Sequence, residues 1–199
     1  MEITKDKQIR DLIIVGAKKL FQQYGLGKTT MEDIAREIGK GKSSLYYYYA
    51  TKEEIFEAVI LREKERLKAD VFSAVNHEHT ADGKLRAFAR TIYRALKTRK
   101  LISNIVNGDA SNDVCLTNIF RKNYDSFELD VIRGIIAYGI ENGEFRESYR
   151  EELDEIAFVG ASVLRGLQVN LIIGGQVSGR NVPLLINTSI DLLVKALKH

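Results

Sequence analysis

The sequence predicts an all-α protein of about nine helices, in which a three-helix helix-turn-helix domain precedes a larger helical domain. Three observations carry this. Apolar residues recur at helical spacing over most of the chain, and Pro183 is the single proline in 199 residues. Two short helical patterns, joined by a glycine-containing turn, follow a longer first one.

Hydrophobic residues make up 45% of the chain, enough for a sizeable core, and the 29% charged share argues against a membrane protein. No uncharged apolar run approaches the length of ~18 residues that a membrane span needs. The opening stretch, Met1 to Lys7, is charged and lacks the apolar core of a signal peptide. Cys115 is the single cysteine, which excludes an internal disulfide and fits a cytoplasmic setting. Net charge is +3, and residues 1–55 hold ten Lys/Arg against eight Asp/Glu. A case for nucleic acid must therefore rest on where charges sit, since their sum is nearly neutral.

Ile9, Leu12, Ile13, Ala17, Leu20, Phe21 and Tyr24 mark a first helix from about residue 6, stopped by Gly25. Thr30 opens a second helix with Met31, Ile34, Ala35 and Ile38 as its stripe, and Gly39 ends it. The third helix reads Lys42-Ser-Ser-Leu-Tyr-Tyr-Tyr-Tyr49, and Thr51-Lys-Glu-Glu54 forms a capping box that opens a long fourth helix to about Val75. Residues 76–83 read as a loop. Helical patterns then cover about 84–99, 114–141, 151–174 and 183–198, with a short helix and loop over 101–113. The expected domains are residues 1–50 and 51–199.

In a helix-turn-helix, the second short helix is narrow enough to lie in the major groove with its N-terminal residues on base edges. If Leu45 and Tyr49 face the core, then Lys42, Ser43, Tyr46 and Tyr47 point toward solvent or a partner. Tyrosines there suit sugars, thymine methyls and phosphates; Lys42 suits guanine O6/N7 or a phosphate. Lys52, at the start of the fourth helix, suits a phosphate docked on that helix terminus. Tyr49 reads as core, and Tyr48 as either core or contact.

Ala17-Lys-Lys-Leu-Phe21, Gly25, Thr29-Thr-Met-Glu-Asp-Ile-Ala35, Gly39, Leu45-Tyr-Tyr-Tyr-Tyr49 and Thr51-Lys-Glu-Glu-Ile55 resemble the TetR-family DNA-binding domain over about residues 8–58. The resemblance implies DNA contact at Thr30, Lys42, Ser44, Tyr46, Tyr47, Tyr48 and Lys52. Three positions depart from the family pattern. Lys40 stands where a small apolar residue is usual and is expected to point outward as a further phosphate contact. Gly41 stands where a Ser or Thr cap is usual, and Tyr49 replaces the usual Phe.

The last two helices carry Val159, Gly160, Val163 and Leu167, then Leu185, Ile190 and Leu193. Both are too apolar for a helix with one fully wet face, and an obligate interface resembles a domain core cut in half. The resemblance implies that they pair with their copies in a homodimer, with two recognition helices about 34 Å apart on palindromic operator DNA. It also implies that the preceding helices enclose a ligand cavity. Phe88, Ile92, Ile105, Phe120, Tyr124 and Phe127, with Arg165 and Gln168, are its candidate lining, although an ordinary core explains each apolar one equally well.

The implied mechanism is a repressor released from its operator by an unidentified small-molecule effector, with the fourth helix as lever. Two other classes stay open: an adaptor that binds a protein partner without a small molecule, and an enzyme that uses the helical cavity. No catalytic or cofactor motif is present, and His77 and His79 lack the further ligands of a metal site.

Overall fold

The computed structural model describes residues 2–98, 114–172 and 181–198, and the side chains of 2–4, 114–125 and 168–172 lie outside that description. The described elements are helical, as the sequence predicts. They are α1 (Glu2–Lys28), α2 (Met31–Glu37), α3 (Lys42–Tyr48), α4 (Lys52–Asn76), α5 (Ala81–Thr98), α6 (Val114–Glu141), a 3-10 turn (Glu147–Arg150), α7 (Leu153–Ile172) and α8 (Val182–Leu197). The expected short helix within 101–113 lies outside the described residues.

The chain forms two compact units. The described part of the first covers residues 2–65 and 114–120; that of the second covers 66–98, 121–172 and 181–198. The first unit runs past residue 50 because the opening turns of α4 pack on α1. Phe56 meets Phe21 edge to face at 5.3 Å, Glu63 pairs with Lys18 at 2.7 Å, and Arg62 pairs with Asp11 at 3.0 Å. Ile13, Ala17, Ile34, Leu45, Ile55 and Val59 complete its core. Gly16 permits a close crossing, since a Cβ there would lie 2.4 Å from Ile38 Cγ2.

Local chemistry sets the helix ends. The expected stop at Gly25 is a break inside α1 (φ 78°, ψ 165°), followed by a short helical continuation to Lys28. Only glycine adopts that positive φ without strain. At the start of α4, Thr51 Oγ1 accepts from the Glu54 N–H at 3.2 Å, while the Glu54 carboxylate accepts from the N–H of Ala50 at 2.8 Å. The box thus closes one residue earlier than the sequence pattern suggests.

In the second unit, α5 packs on α7 and α8, and α7 on α8. Its core is built from residues such as Leu67, Leu85, Phe88, Ile132, Phe145 and Ile190. Helix α5 starts at Ala81, earlier than the polar run 76–83 suggests. Thr80 Oγ1 accepts from the Gly83 N–H, and both Glu144 carboxylate oxygens accept from the Ala81 N–H, at 2.8 and 2.9 Å. Asn181 caps α8 through the Leu184 N–H at 3.2 Å. Among the described residues, no helix is long and apolar enough to cross a membrane.

Candidate DNA interface

Thr30 caps α2 in a reciprocal box. Its hydroxyl oxygen accepts from the Asp33 N–H at 3.1 Å, and Asp33 Oδ2 accepts from the Thr30 N–H at 3.0 Å and the Thr30 hydroxyl at 2.6 Å. These bonds hold the Asp33 carboxyl below its ordinary range, the side-chain bond from Thr30 being the larger cause. The Thr30 hydroxyl thus already donates its hydrogen bond to Asp33.

Helix α3 has Gly41 at its N-cap and no side-chain cap bond, as the missing Ser or Thr predicts. Leu45 is its one buried residue. Lys40, Lys42, Ser43, Tyr46 and Tyr47 are exposed, Tyr47 to 76%, and Ser44 is half-buried. This gathers two cations, hydroxyls and two flat aromatic rings on and just before one short helix. Such groups can donate to phosphates and base edges and cover sugar and thymine-methyl surface.

Tyr48 resolves toward packing. Its hydroxyl donates to Asp6 Oδ1 at 3.0 Å, and the Arg10 guanidinium donates to its carbonyl at 3.3 Å. Burial, and next the bond to Asp6, raise the Tyr48 hydroxyl above its ordinary pKa. Tyr49 lies beyond the helix end in extended conformation, half-buried, with Arg10 over its ring.

Lys52 is bonded within its own chain. Its ammonium donates to the carbonyl oxygens of Leu26, Gly27 and Thr29, at 2.9, 3.2 and 3.0 Å. An ammonium has three N–H donors, and all three are directed at the broken end of α1 and the turn into α2. Lys52, expected at a phosphate, here clamps backbone carbonyls.

The expected ligand and dimer residues separate similarly. Phe88, Ile92 and Phe127 are buried in the second unit's core. They line neither of two clefts described there: one of about 390 Å³ around Asp70, Ser73, Thr91 and Arg94, the other of about 250 Å³ around Phe72, Lys84, Ile135 and Tyr138. Arg165 pairs with the buried carboxylate of Glu128 at 3.2 Å, so its charge is already balanced by a protein group. Ile105 lies outside the described residues, as do the side chains of Phe120, Tyr124 and Gln168.

Of the expected interface, Val159 and Val163 are exposed, and Leu167, Leu185 and Leu193 are half-buried. Ile190 is wholly buried within its own chain and cannot face a second copy. A Cβ at Gly160 would lie 3.4 Å from Leu193 Cδ2 and 3.6 Å from Ile132 Cγ2, ordinary contact within the same chain. Leu184 of the last helix is exposed, as are Phe158 and Leu192, which the sequence reading missed. With apolar residues on nearly every side of α7 and α8, the pattern does not fix which face is outermost.

The fold and this site define an all-helical protein with an N-terminal helix-turn-helix. Residues 13–59 match the model for bacterial regulatory proteins of the tetR family. The HTH-type transcriptional regulator UidR of Escherichia coli strain K12 is 23% identical over 103 residues, covering 52% of this chain and 53% of UidR. The chain thus spans about half the length of the curated relatives it matches first. A transcriptional regulator of Cytophaga hutchinsonii, known by crystal structure, is 28% identical with a TM-score of 0.74, covering 95% of this chain and 98% of that one. The regulator FadR of Bacillus subtilis, solved with stearoyl-CoA, shares the fold with a TM-score of 0.69 at 18% identity, covering 94% of this chain and 98% of FadR.

Proposed function

We propose that the chain is a cytoplasmic, sequence-specific DNA-binding transcriptional regulator that acts as a homodimeric repressor. The observation that carries this is α3: Lys42, Ser43, Tyr46 and Tyr47 stand exposed within the segment that matches the tetR-family model. Lys42 and Lys40 supply charge for phosphates or a guanine edge, and the two tyrosines supply contact area.

Dimerisation is supported by the apolar residues left exposed on α7 and α8. Phe158, Val159 and Val163 lie on one helix, Leu184 and Leu192 on the other. A two-fold pairing of these faces would bury them and present two α3 helices to half-sites about one DNA turn apart. Release by a small-molecule effector completes the reading and is supported by the shared fold with FadR. An effector acts by binding one conformation of the dimer better than the other; a 100-fold loss of operator affinity needs about 2.7 kcal/mol of such preference. Helix α4, whose residues belong to both units, is the lever.

Selection of duplexes from a random library with the full chain tests the reading. Enrichment of an inverted repeat, bound by two chains, is the expected result. Failure to enrich any sequence would overturn it.

A further inference from the structure

We propose that Asp6 and Arg10 of α1 are positioning residues for DNA reading, which lock Tyr48 and through it set the operator selectivity of α3. This inference rests on the DNA-binding role proposed above.

The need for such a lock follows from α3 itself. Seven residues are too few for a helix to be stable alone, and its N-cap glycine makes no side-chain bond. Leu45, its single buried residue, anchors the helix at one point and leaves its rotation to other contacts. Besides its packing on α2, α3 is held at its C-terminal end by residues far away in sequence.

Asp6 Oδ1 accepts a hydrogen bond from the Tyr48 hydroxyl at 3.0 Å. Arg10 makes two kinds of contact. Its Nη1 donates to the Tyr48 carbonyl at 3.3 Å, one of the last helix carbonyls without an intrahelical partner. Its guanidinium carbon lies 5.4 Å from the Tyr48 ring centroid and 5.3 Å from that of Tyr49, within cation–π range. A cation at a helix C-terminus is also favoured by the helix dipole.

The lock reaches the exposed face through one further contact. The Tyr47 ring stands edge to face on the Tyr48 ring, with centroids 5.0 Å apart and an interplanar angle of 86°. Fixing Tyr48 therefore limits the directions open to Tyr47, the most exposed aromatic residue of α3. Sequence-specific contacts depend on that direction; attraction to phosphates does not.

The test measures affinity of the full chain for a duplex enriched from a random library and for a scrambled duplex of equal length, at several salt concentrations. The lock predicts that Arg10→Ala and Tyr48→Phe each lower the ratio of specific to scrambled affinity, Arg10→Ala by about tenfold. The slope of log affinity against log salt on the scrambled duplex stays unchanged, and Arg10→Lys, which keeps a cation over the rings, restores part of the ratio. Asp6→Ala combined with Tyr48→Phe is expected to cost no more than either alone, because both remove one bond. Equal loss on both duplexes, with the slope reduced by about one, would make Arg10 a phosphate contact and overturn the proposal. An unchanged ratio in Arg10→Ala and Tyr48→Phe would overturn it as well. If Arg10→Ala does not fold by circular dichroism, Tyr48→Phe, which removes a single hydroxyl, decides. A wild-type chain that enriches no duplex fails at the first step and overturns the DNA-binding reading instead.

Discussion

The ammonium of Lys52 lies 2.9 Å from the carbonyl oxygen of Leu26, across a sequence separation of 26 residues. This bond and its companions to Gly27 and Thr29 tie the start of α4 to the turn that launches α2. Lys52→Met keeps the aliphatic stem and removes the donors. It should destabilise the protein by about 1–3 kcal/mol, because half-buried carbonyls lose a charged donor. A urea unfolding curve checks this, and a midpoint equal to that of the wild type would count against the clamp.

Gly16 sets how closely α1 approaches the end of α2. In Gly16→Ala the new methyl meets Ile38 Cγ2 at 2.4 Å, well inside van der Waals contact. Overpacking of this kind costs about 1–3 kcal/mol, although alanine is the better helix former. Thermal unfolding should therefore show a lower midpoint; a rise would mean that Ile38 moves aside freely.

The apolar faces of α7 and α8 separate self-association from folding. Phe158→Glu with Leu192→Glu places charges on exposed positions and should leave helix content intact. The same pair should weaken dimerisation by at least about 100-fold, read by sedimentation equilibrium. Ile190→Ala, buried within the chain, should instead cost about 2–5 kcal/mol of stability. A double variant that remains dimeric would place the interface elsewhere.

The Thr30–Asp33 box gives the first unit an acid-sensitive element. The Asp33 carboxyl is held below its ordinary range in the folded chain. Its stabilising contribution is therefore full above the unfolded carboxylate pKa of about 3.9 and is lost as pH falls through the lower folded value. Asp33→Asn should remove that component. The stability gap between wild type and variant should narrow as pH drops from 6 toward 3, and a gap that widened would contradict the box.

Much of this was legible in the sequence because it is local. The apolar period of α1 and the Thr30 cap each act within a turn of chain and stand where the pattern puts them, while Gly25 breaks α1 and does not end it. The exposure of Tyr46 and Tyr47 follows from Leu45 alone facing inward. What stayed hidden is non-local. Arg10 and Tyr48 are 38 residues apart, and no spacing rule joins them. Lys52 occupies a position that suits an anion, yet its donors find carbonyls at the end of α1 and in the turn after it, which only the folded chain brings near. On α7 and α8 the apolar excess is plain, but it runs around both helices. Ile190 and Leu192 thus look alike in sequence, while one is buried and the other exposed.

The central claim is that α3 reads DNA through its exposed aromatic face. The most direct measurement is the affinity of Tyr47→Ala for the duplex enriched by the wild-type chain, taken beside its thermal midpoint. Tyr47 is 76% exposed, so the variant should unfold within about 0.5 kcal/mol of wild type. Its affinity should fall by about tenfold or more, as the loss of an aromatic contact at a recognition surface implies. An undiminished affinity at unchanged stability would contradict the account.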